Sequence, residues 1–281
     1  MQEATRQPAG EAANSHVLSI EDDAGVRTLR LQRPALHNAF DARLIAELTA
    51  ALEAAGQAPE VRVVVLAGAG ASFSAGADLQ WMRGMAAADE DENRRDAAAL
   101  ARLMRTLDEL PRPTVARVHG AAYGGGVGLV ACCDIAIGSA QARFGLTESR
   151  LGLVPAVISP YVIAAIGPRQ ARRWFASAET FDAATAQAIG LLHEVVPAEE
   201  LDAAIARQIE LLLAAGPAAV AAAKRLVREV AGRGDRDQLD TDNAALIARL
   251  RVSPEGQEGL SAFLEKRSAA WVPRKEAPDH G

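Results

Sequence analysis

Three consecutive glycines, Gly124, Gly125 and Gly126, stand where a strand-like stretch gives way to an apolar, helix-like one. Glycine lets a ligand approach the backbone closely, and the first N–H groups of a helix have no partner inside it. Those N–H groups and the helix dipole favour an anion or a developing oxyanion. The run therefore predicts an anion-binding helix start. Close packing of a helix on a strand would also select glycine, and both interpretations stay open.

A second loop of small residues, Phe73-Ser-Ala-Gly-Ala-Asp78, follows the β-branched run 61–67. Ligand sites in α/β folds lie at the carboxyl ends of strands, where both small-residue loops stand. If each loop supplies one backbone N–H, the two together form an oxyanion hole. Asp78 is predicted to cap a helix that begins at Leu79.

One carboxylate, Glu148, lies in a mainly apolar stretch between Phe144 and Pro155. Apolar surroundings raise the pKa of a carboxyl group, which can then act as a general acid or base near neutral pH. The alternative is a glutamate that caps a helix or pairs with Arg150. Asp134 is predicted to be a structural acid at the entry of a strand.

Several other chemistries lack their motifs. The sequence has no Gly-x-x-x-x-Gly-Lys-Ser/Thr loop and no Gly-x-Ser-x-Gly elbow, and its five histidines show no metal-ligand spacing. No metal site is predicted. The adjacent Cys132 and Cys133 suit neither a disulfide framework nor a zinc site, so we interpret them as small core residues in a reducing compartment.

The composition describes a globular protein of 281 residues with 49% hydrophobic and 23% charged residues and a net charge of -6. The negative charge argues against nucleic acid or an anionic membrane as the main partner. The N-terminus lacks the regions of a signal peptide, and no apolar run is long enough to span a bilayer. We predict a cytoplasmic protein.

The elements that must position these residues alternate between strand and helix, and the last third is helical. Residues 1–15 are polar and are predicted to form a disordered tail. The loop 68–77 is predicted to have no regular structure, and 194–196 is the one strand candidate after residue 155. The predicted strands are 16–20, 26–31, 61–67, 113–120, 134–137, 142–146 and 194–196. The predicted helices are 41–55, 92–110, 155–166, 169–176, 182–189, 198–215, 217–231, 236–251 and 254–265.

Together these segments resemble the crotonase superfamily, the enoyl-CoA hydratase/isomerase family, over about residues 16–267. The matching pieces are Arg33-Pro34…Asn38-Ala-Phe40, Phe73–Asp78, His119–Gly126, Cys133–Ile137, Phe144…Glu148…Leu151-Gly-Leu153 and Glu258–Arg267. The resemblance implies an α/β fold, the ClpP-like ββα spiral, with CoA and active site in 16–200. It implies a C-terminal helical region, 201–281, that builds homotrimers, often paired into hexamers.

The resemblance also implies an acyl-CoA substrate. Its thioester oxygen would accept hydrogen bonds from Ala77 N–H and Gly125 N–H, with Glu148 as the catalytic acid/base. Coenzyme A arrives as part of the substrate, so no separate cofactor is implied. The implied CoA-binding and substrate-binding residues are Ala75, Gly76, Asp78, Leu79, Gly124 and Lys266.

One position departs from the family pattern: Gly128 stands where two-glutamate hydratases carry their first acid. One glutamate suits a Δ3,Δ2-enoyl-CoA isomerase. However, the blocks 127–134 and 153–163 look like bacterial methylglutaconyl-CoA and isohexenylglutaconyl-CoA hydratases of leucine and terpene degradation. We therefore expect a hydratase for a branched enoyl-CoA, a carboxylated chain being one option. An isomerase and a non-catalytic CoA-binding or scaffold member remain alternatives.

Two further tasks have only candidate residues. Tyr123 and Ser159 are candidates for holding the attacking water where Gly128 has no side chain. A carboxylate at the far end of the substrate would need a guanidinium, and Arg83 and Arg150 are the nearest candidates.

Overall fold

A computed structural model describes residues 16–232 and 234–273 of the protein. The predicted tail 1–15 and the end of the predicted helical region, 274–281, lie outside the described residues. The strands of the described chain form two sheets, and ten helices pack around them.

The larger sheet has six strands in the order β1-β2-β3-β5-β7-β10, in which β1 and β2 are antiparallel and the other neighbours are parallel. Its strands are β1 (Leu18–Asp23), β2 (Val26–Leu31), β3 (Val63–Gly68), β5 (Thr114–Val118), β7 (Ile135–Ser139) and β10 (Glu194–Val196). All six residues of β3 are buried. A strand covered on both faces needs apolar residues throughout, which is why this run lacks alternation.

The smaller sheet has four strands in the order β4-β6-β8-β9. Its strands are β4 (Ser72–Ser74), β6 (Ala121–Tyr123), β8 (Arg143–Gly145) and β9 (Thr180–Asp182). From β3 to β8, successive strands alternate between the two sheets, and helices follow most pairs. This alternation is the ββα spiral, so the predicted α/β fold class is confirmed.

The helices are α1 (Ala42–Gln57), α2 (Leu79–Ala87), α3 (Glu90–Asp108), α4 (Gly125–Cys132), α5 (Ser159–Ser177), α6 (Ala183–Ala188), α7 (Leu201–Ala214), α8 (Pro217–Val230), α9 (Arg236–Val252) and α10 (Pro254–Leu264). The Asp41 carboxylate caps α1 by accepting from Leu44 N at 2.8 Å. Helix α4 is almost entirely buried. The division of the chain at residue 200 stays a prediction.

Two predictions about the elements are wrong. The loop 68–77 contains strand β4, and 194–196 is not the one late strand because β9 also follows residue 155. The two predicted helices 155–166 and 169–176 correspond to the two helical parts of α5, which meet at a kink where Gly167 has φ 75° and ψ 158°. Pro168 follows the bend, and a proline has no N–H for the helical ladder.

Asp134 is a structural acid, as predicted. Its carboxylate accepts from the backbone N and the Oγ1 of Thr114, both at 2.8 Å, and from Lys224 Nζ at 2.7 Å. It therefore joins the start of β5 to helix α8. The neighbouring Cys132 and Cys133 are buried free thiols.

Within the described ranges, no single helix is long and apolar enough to cross a membrane. The pair Ala198–Ala214 and Pro217–Val230 meets the length and composition criteria only when taken together across a bend of 103°. The same ranges contain no group of three or more His, Cys, Asp or Glu side chains placed to hold a metal ion.

Candidate active site

The two small-residue loops leave neighbouring strands and touch each other. Strands β4 and β6 are parallel partners, with Ser72 opposite Ala121 and Ser74 opposite Ala122. Their carboxyl ends therefore lie at one edge of the smaller sheet. A Cβ on Gly76 would lie 2.9 Å from the carbonyl oxygen of Tyr123. The structure thus brings the two loops into direct backbone contact.

The predicted donors, Ala77 N–H and Gly125 N–H, have no hydrogen-bond partner in the part of the chain that the structure describes. Phe40 N donates to Gly76 O and Asp78 N donates to Phe40 O, so the N–H of Ala77 faces away from Phe40. Gly125 is the first residue of α4, whose N–H has no partner inside the helix. Both groups are available to a ligand oxygen.

Each glycine of the run is required for a different structural reason. Gly124 has φ 49°, in the left-handed region that L side chains rarely adopt. A Cβ on Gly125 would lie 2.6 Å from Cε2 of Phe40, and one on Gly126 would lie 2.5 Å from the carbonyl oxygen of Ser74. Close packing therefore excludes side chains at these positions, which confirms the packing interpretation. The unpaired N–H of Gly125 supports the anion-binding interpretation, which stays a prediction.

In the folded chain, Glu148 lies beside the glycine run. It begins a short 3-10 turn, Glu148–Leu151, that follows β8. Its Oε1 lies 3.1 Å from where a Cβ on Gly124 would be, and its Oε2 is buried without a hydrogen-bond partner. Arg150 is exposed and forms no ion pair with it within the described residues. Burial raises the pKa of Glu148, partly offset by a hydrogen bond from its own backbone amide. The predicted direction of this pKa is confirmed.

Comparison with known proteins identifies the family to which this chain belongs. The family profile described as "Enoyl-CoA hydratase/isomerase" matches residues 21–274, nearly the whole chain. The chain belongs to the enoyl-CoA hydratase/isomerase family. The predicted family is therefore confirmed, and an acyl-CoA substrate is consistent with it.

The chain aligns with its relatives over almost their full length. The 2,3-dehydroadipyl-CoA hydratase of Escherichia coli K12 is 34% identical over 258 residues, which are 89% of this chain and 96% of the relative. The crotonyl-CoA hydratase of Syntrophomonas wolfei is 31% identical over 258 residues, 90% of this chain and 96% of the relative. The crystal structure of an enoyl-CoA hydratase from Shewanella pealeana has a TM-score of 0.88 at 46% identity, and covers 91% of this chain and 96% of that one.

In this member of the hydratase/isomerase family, Asp78 caps α2 as predicted. Its Oδ1 accepts from Gln80 N at 2.7 Å and from Trp81 N at 3.3 Å. Burial alone would raise its pKa, but those two amides and the guanidinium of Arg33 lower it overall. The Asp78 carboxylate is thus occupied by the cap and the ion pair, while Leu79 beside it is 73% exposed.

Arg33 holds the two caps together, and reasoning from the sequence missed this role. Its Nη2 lies 3.0 Å from Asp41 Oδ2 and 3.1 Å from Asp78 Oδ2, and its Nη1 donates to Ala39 O. The carboxylates are the caps of α1 and α2. One guanidinium therefore fixes the starts of both helices. The signal available in the sequence was that Arg33 lies in one of the segments that resemble the family.

Asn38 anchors the amide loop from the other side, and was also missed. The residue is fully buried with φ 55°. Its Nδ2 donates to the backbone carbonyl oxygens of Ala69 and Ser72, both at 2.8 Å. Its own backbone carbonyl oxygen accepts from Ser74 Oγ at 2.9 Å. Asparagine is among the few residues that tolerate this backbone region. The preceding His37 accepts from Ala75 N through its carbonyl oxygen.

Four other candidates were named for holding water or binding a distal carboxylate. Ser159 Oγ donates to Ala156 O at 2.8 Å. The ring of Tyr123 packs against Gly145. Arg83 and Arg150 are exposed, and neither forms an ion pair within residues 16–232 and 234–273.

Lys266 lies beyond the end of α10, exposed, with φ 55°. Within the described chain, no hydrogen bond or ion pair joins its side chain to the amide loops. Its assignment to CoA, like that of Ala75, Gly76, Asp78, Leu79 and Gly124, stays a prediction.

Proposed function

We propose that the protein is an enoyl-CoA hydratase that adds water across the 2,3 double bond of a branched enoyl-CoA. The observation that carries the proposal is the partly buried carboxylate of Glu148, with Oε2 unpaired, beside the glycine run, together with the unpaired N–H groups of Ala77 and Gly125. An acid/base next to an oxyanion hole is the minimum that this chemistry needs.

The proposed reaction begins when the thioester carbonyl oxygen accepts hydrogen bonds from Ala77 N–H and Gly125 N–H. Glu148 takes a proton from water as the water oxygen bonds to Cβ. The π electrons of the double bond move toward Cα and the carbonyl, and the two amides stabilise the resulting enolate-like charge. Glu148 then returns its proton to Cα. The loss of one such donor costs about 2.7–4 kcal/mol of transition-state stabilisation.

A single glutamate suffices for this sequence because the two proton transfers are not simultaneous. Ionised Glu148 is the base in the first step, and its protonated form is the acid in the second. Because burial raises the pKa of Glu148, its carboxyl group can more readily serve as both base and acid at neutral pH. No separate cofactor takes part, since coenzyme A enters and leaves as part of the substrate.

The acyl chain we propose is branched and of the methylglutaconyl type, which carries a second carboxylate. Two observations support it: the sequence blocks 127–134 and 153–163, and a relative named for 2,3-dehydroadipyl-CoA, itself the thioester of a diacid. The exposed guanidiniums of Arg83 and Arg150 are the proposed partners of that carboxylate.

A Δ3,Δ2-enoyl-CoA isomerase is the second candidate, because Gly128 has no side chain to supply a second acid. The two reactions are separated by incubating the protein with 2-enoyl-CoAs, including 3-methylglutaconyl-CoA, and with a 3-enoyl-CoA, in water enriched in heavy oxygen. We expect mass spectrometry to find one heavy oxygen in the product of the 2-enoyl substrate. Turnover of the 3-enoyl form alone, without heavy oxygen, would contradict the hydratase proposal.

We also propose that the chain forms homotrimers, paired or unpaired, in the cytoplasm. Helices α8 to α10 carry large apolar side chains on the surface of the single chain, which water does not stabilise. They are Val227, Ile247, Val252, Leu260, Phe263 and Leu264.

A further inference from the structure

Gly128 lies on α4, one helical turn after Gly124, the residue that precedes the helix. Its N–H donates to Gly124 O at 3.2 Å and so closes the first turn of the helix. A Cβ on Gly124 would lie 3.1 Å from Oε1 of Glu148. A side chain at 128 would therefore leave the helix one turn from the residue that adjoins this carboxylate.

The space over Gly128 is filled. A Cβ there would lie 2.3 Å from Cγ2 and 2.9 Å from Cβ of Ile158, and 3.2 Å from Cε of Met104. Ile158 is 3% exposed and Met104 is fully buried. Isoleucine is branched at Cβ, so rotation about χ1 brings another substituent toward the same place. With Ile158 present, glycine is the residue that fits at position 128.

We propose that Ile158 is a positioning residue of this site. It takes the volume that a second acid on α4 would need, and leaves Glu148 to perform both proton transfers. Gly128 is then one half of a complementary small–large pair, and its lack of a side chain is a packing requirement. Ile158 acts through α4, by excluding a side chain at position 128.

The kinetic half of this inference rests on the proposed hydratase function, whereas the packing half does not. It follows that an acid placed at 128 alone cannot enter the site. A second acid requires that Ile158 be removed as well. The partner change must be Ile158→Gly, because the Cβ of residue 158 alone would still lie 2.9 Å from the new Cβ.

The packing half is tested by the melting temperatures of Gly128→Ala, Ile158→Gly and the double variant. We expect Gly128→Ala to lower the Tm by roughly 5 °C because the buried isoleucine cannot yield. In the Ile158→Gly background the same change should cost almost nothing. Gly84→Ala is the matched control, since nothing lies within 4 Å of that Cβ, and its Tm should not fall. Equal losses from Gly128→Ala in both backgrounds would overturn the inference.

The kinetic half is tested by the pH dependence of kcat/KM for hydration. Gly128→Glu/Ile158→Gly should show a second carboxyl ionisation that the unaltered protein and Ile158→Gly lack. Gly128→Glu alone should lose most of its folded protein. A second ionisation in Gly128→Glu with an unchanged Tm would overturn the inference. If no enoyl-CoA is hydrated by the unaltered protein, the proposed function fails, and the Tm comparison still decides the packing.

Discussion

At the scale of single residues, two carboxylates of this site have opposite surroundings. Asp78 is buried, but two backbone amides and Arg33 compensate it, and its pKa is lowered. Glu148 is partly buried with one oxygen unpaired, and burial raises its pKa. A compensated carboxylate stays ionised and serves structure, whereas an uncompensated one exchanges its proton near neutral pH. Their surroundings therefore suggest different tasks for the two acids.

Glu148→Gln tests both the chemistry and the cost of that burial. We expect kcat to fall by about 10²–10⁴, with acyl-CoA binding retained, because the amide cannot exchange a proton. A raised folded-state pKa favours folding below the unfolded pKa, and that benefit is lost as the pH rises through the folded value. The variant should therefore gain Tm relative to the unaltered protein near pH 7, and the gain should vanish well below pH 4.

The exposed Glu199 provides the matched control. Glu199→Gln should leave both kcat and the pH dependence of the Tm unchanged. Full hydration activity in Glu148→Gln would contradict the assignment of the base. Retained CoA binding without any activity in the unaltered protein would favour the non-catalytic alternative.

At the scale of elements, the segment 33–40 holds the amide loop in place. Arg33 binds the Asp78 cap, Asn38 binds the backbone at 69 and 72, and Phe40 exchanges backbone hydrogen bonds with Gly76 and Asp78. The direction of the Ala77 N–H depends on this segment, although none of its side chains needs to touch substrate. We expect changes here to alter kcat more than KM.

Arg33→Gln should lower the free energy of unfolding by about 3 kcal/mol, because it leaves the buried Asp78 carboxylate without its ion partner. Urea denaturation measures this loss, and kcat should fall with little change in KM. Adding Asp78→Asn to Arg33→Gln should cost less than Asp78→Asn costs alone. Arg94→Gln removes the exposed pair with Asp91 and should cost less than about 1 kcal/mol. Equal losses from Arg33→Gln and Arg94→Gln would contradict this role.

Most elements that reasoning from the sequence found have long patterns, although the three-residue strand β10 was also predicted. Helix α1 and strand β3 carry many periodic or continuous apolar residues, so local preference and burial agree. Strands β4 and β9 have three residues each, which is too few for a hydrophobic pattern. They form because each pairs with a neighbouring strand, β6 and β8 respectively. The division of α5 into two helical parts was also predicted, because Gly167-Pro168 disfavours a helix locally.

At the scale of the whole molecule, the single chain leaves apolar surface on its C-terminal helices and Lys266 away from the amide loops. Phe263 is 81% and Leu264 77% exposed, next to that lysine. Burial of such side chains against other copies is the expected source of assembly free energy.

Light scattering should therefore give three or six times the chain mass of 29.5 kDa. Phe263→Asp should shift the protein toward smaller species, since a carboxylate in an apolar interface is costly to bury. Arg94→Gln is again a suitable control, on a helix far along the chain from α10. A mass of one chain at micromolar concentration would contradict the trimer.

The sequence by itself determined the family, the α/β class and the two small-residue loops, and it made a raised pKa one of two options for Glu148. Each depends on local residue types, or on an apolar stretch that remains apolar when folded. Only the tertiary structure decided that Arg33 and Asn38 support the amide loop, and that Ile158 fills the space over Gly128. Those contacts join residues about 30 to 45 positions apart, and no local pattern encodes them.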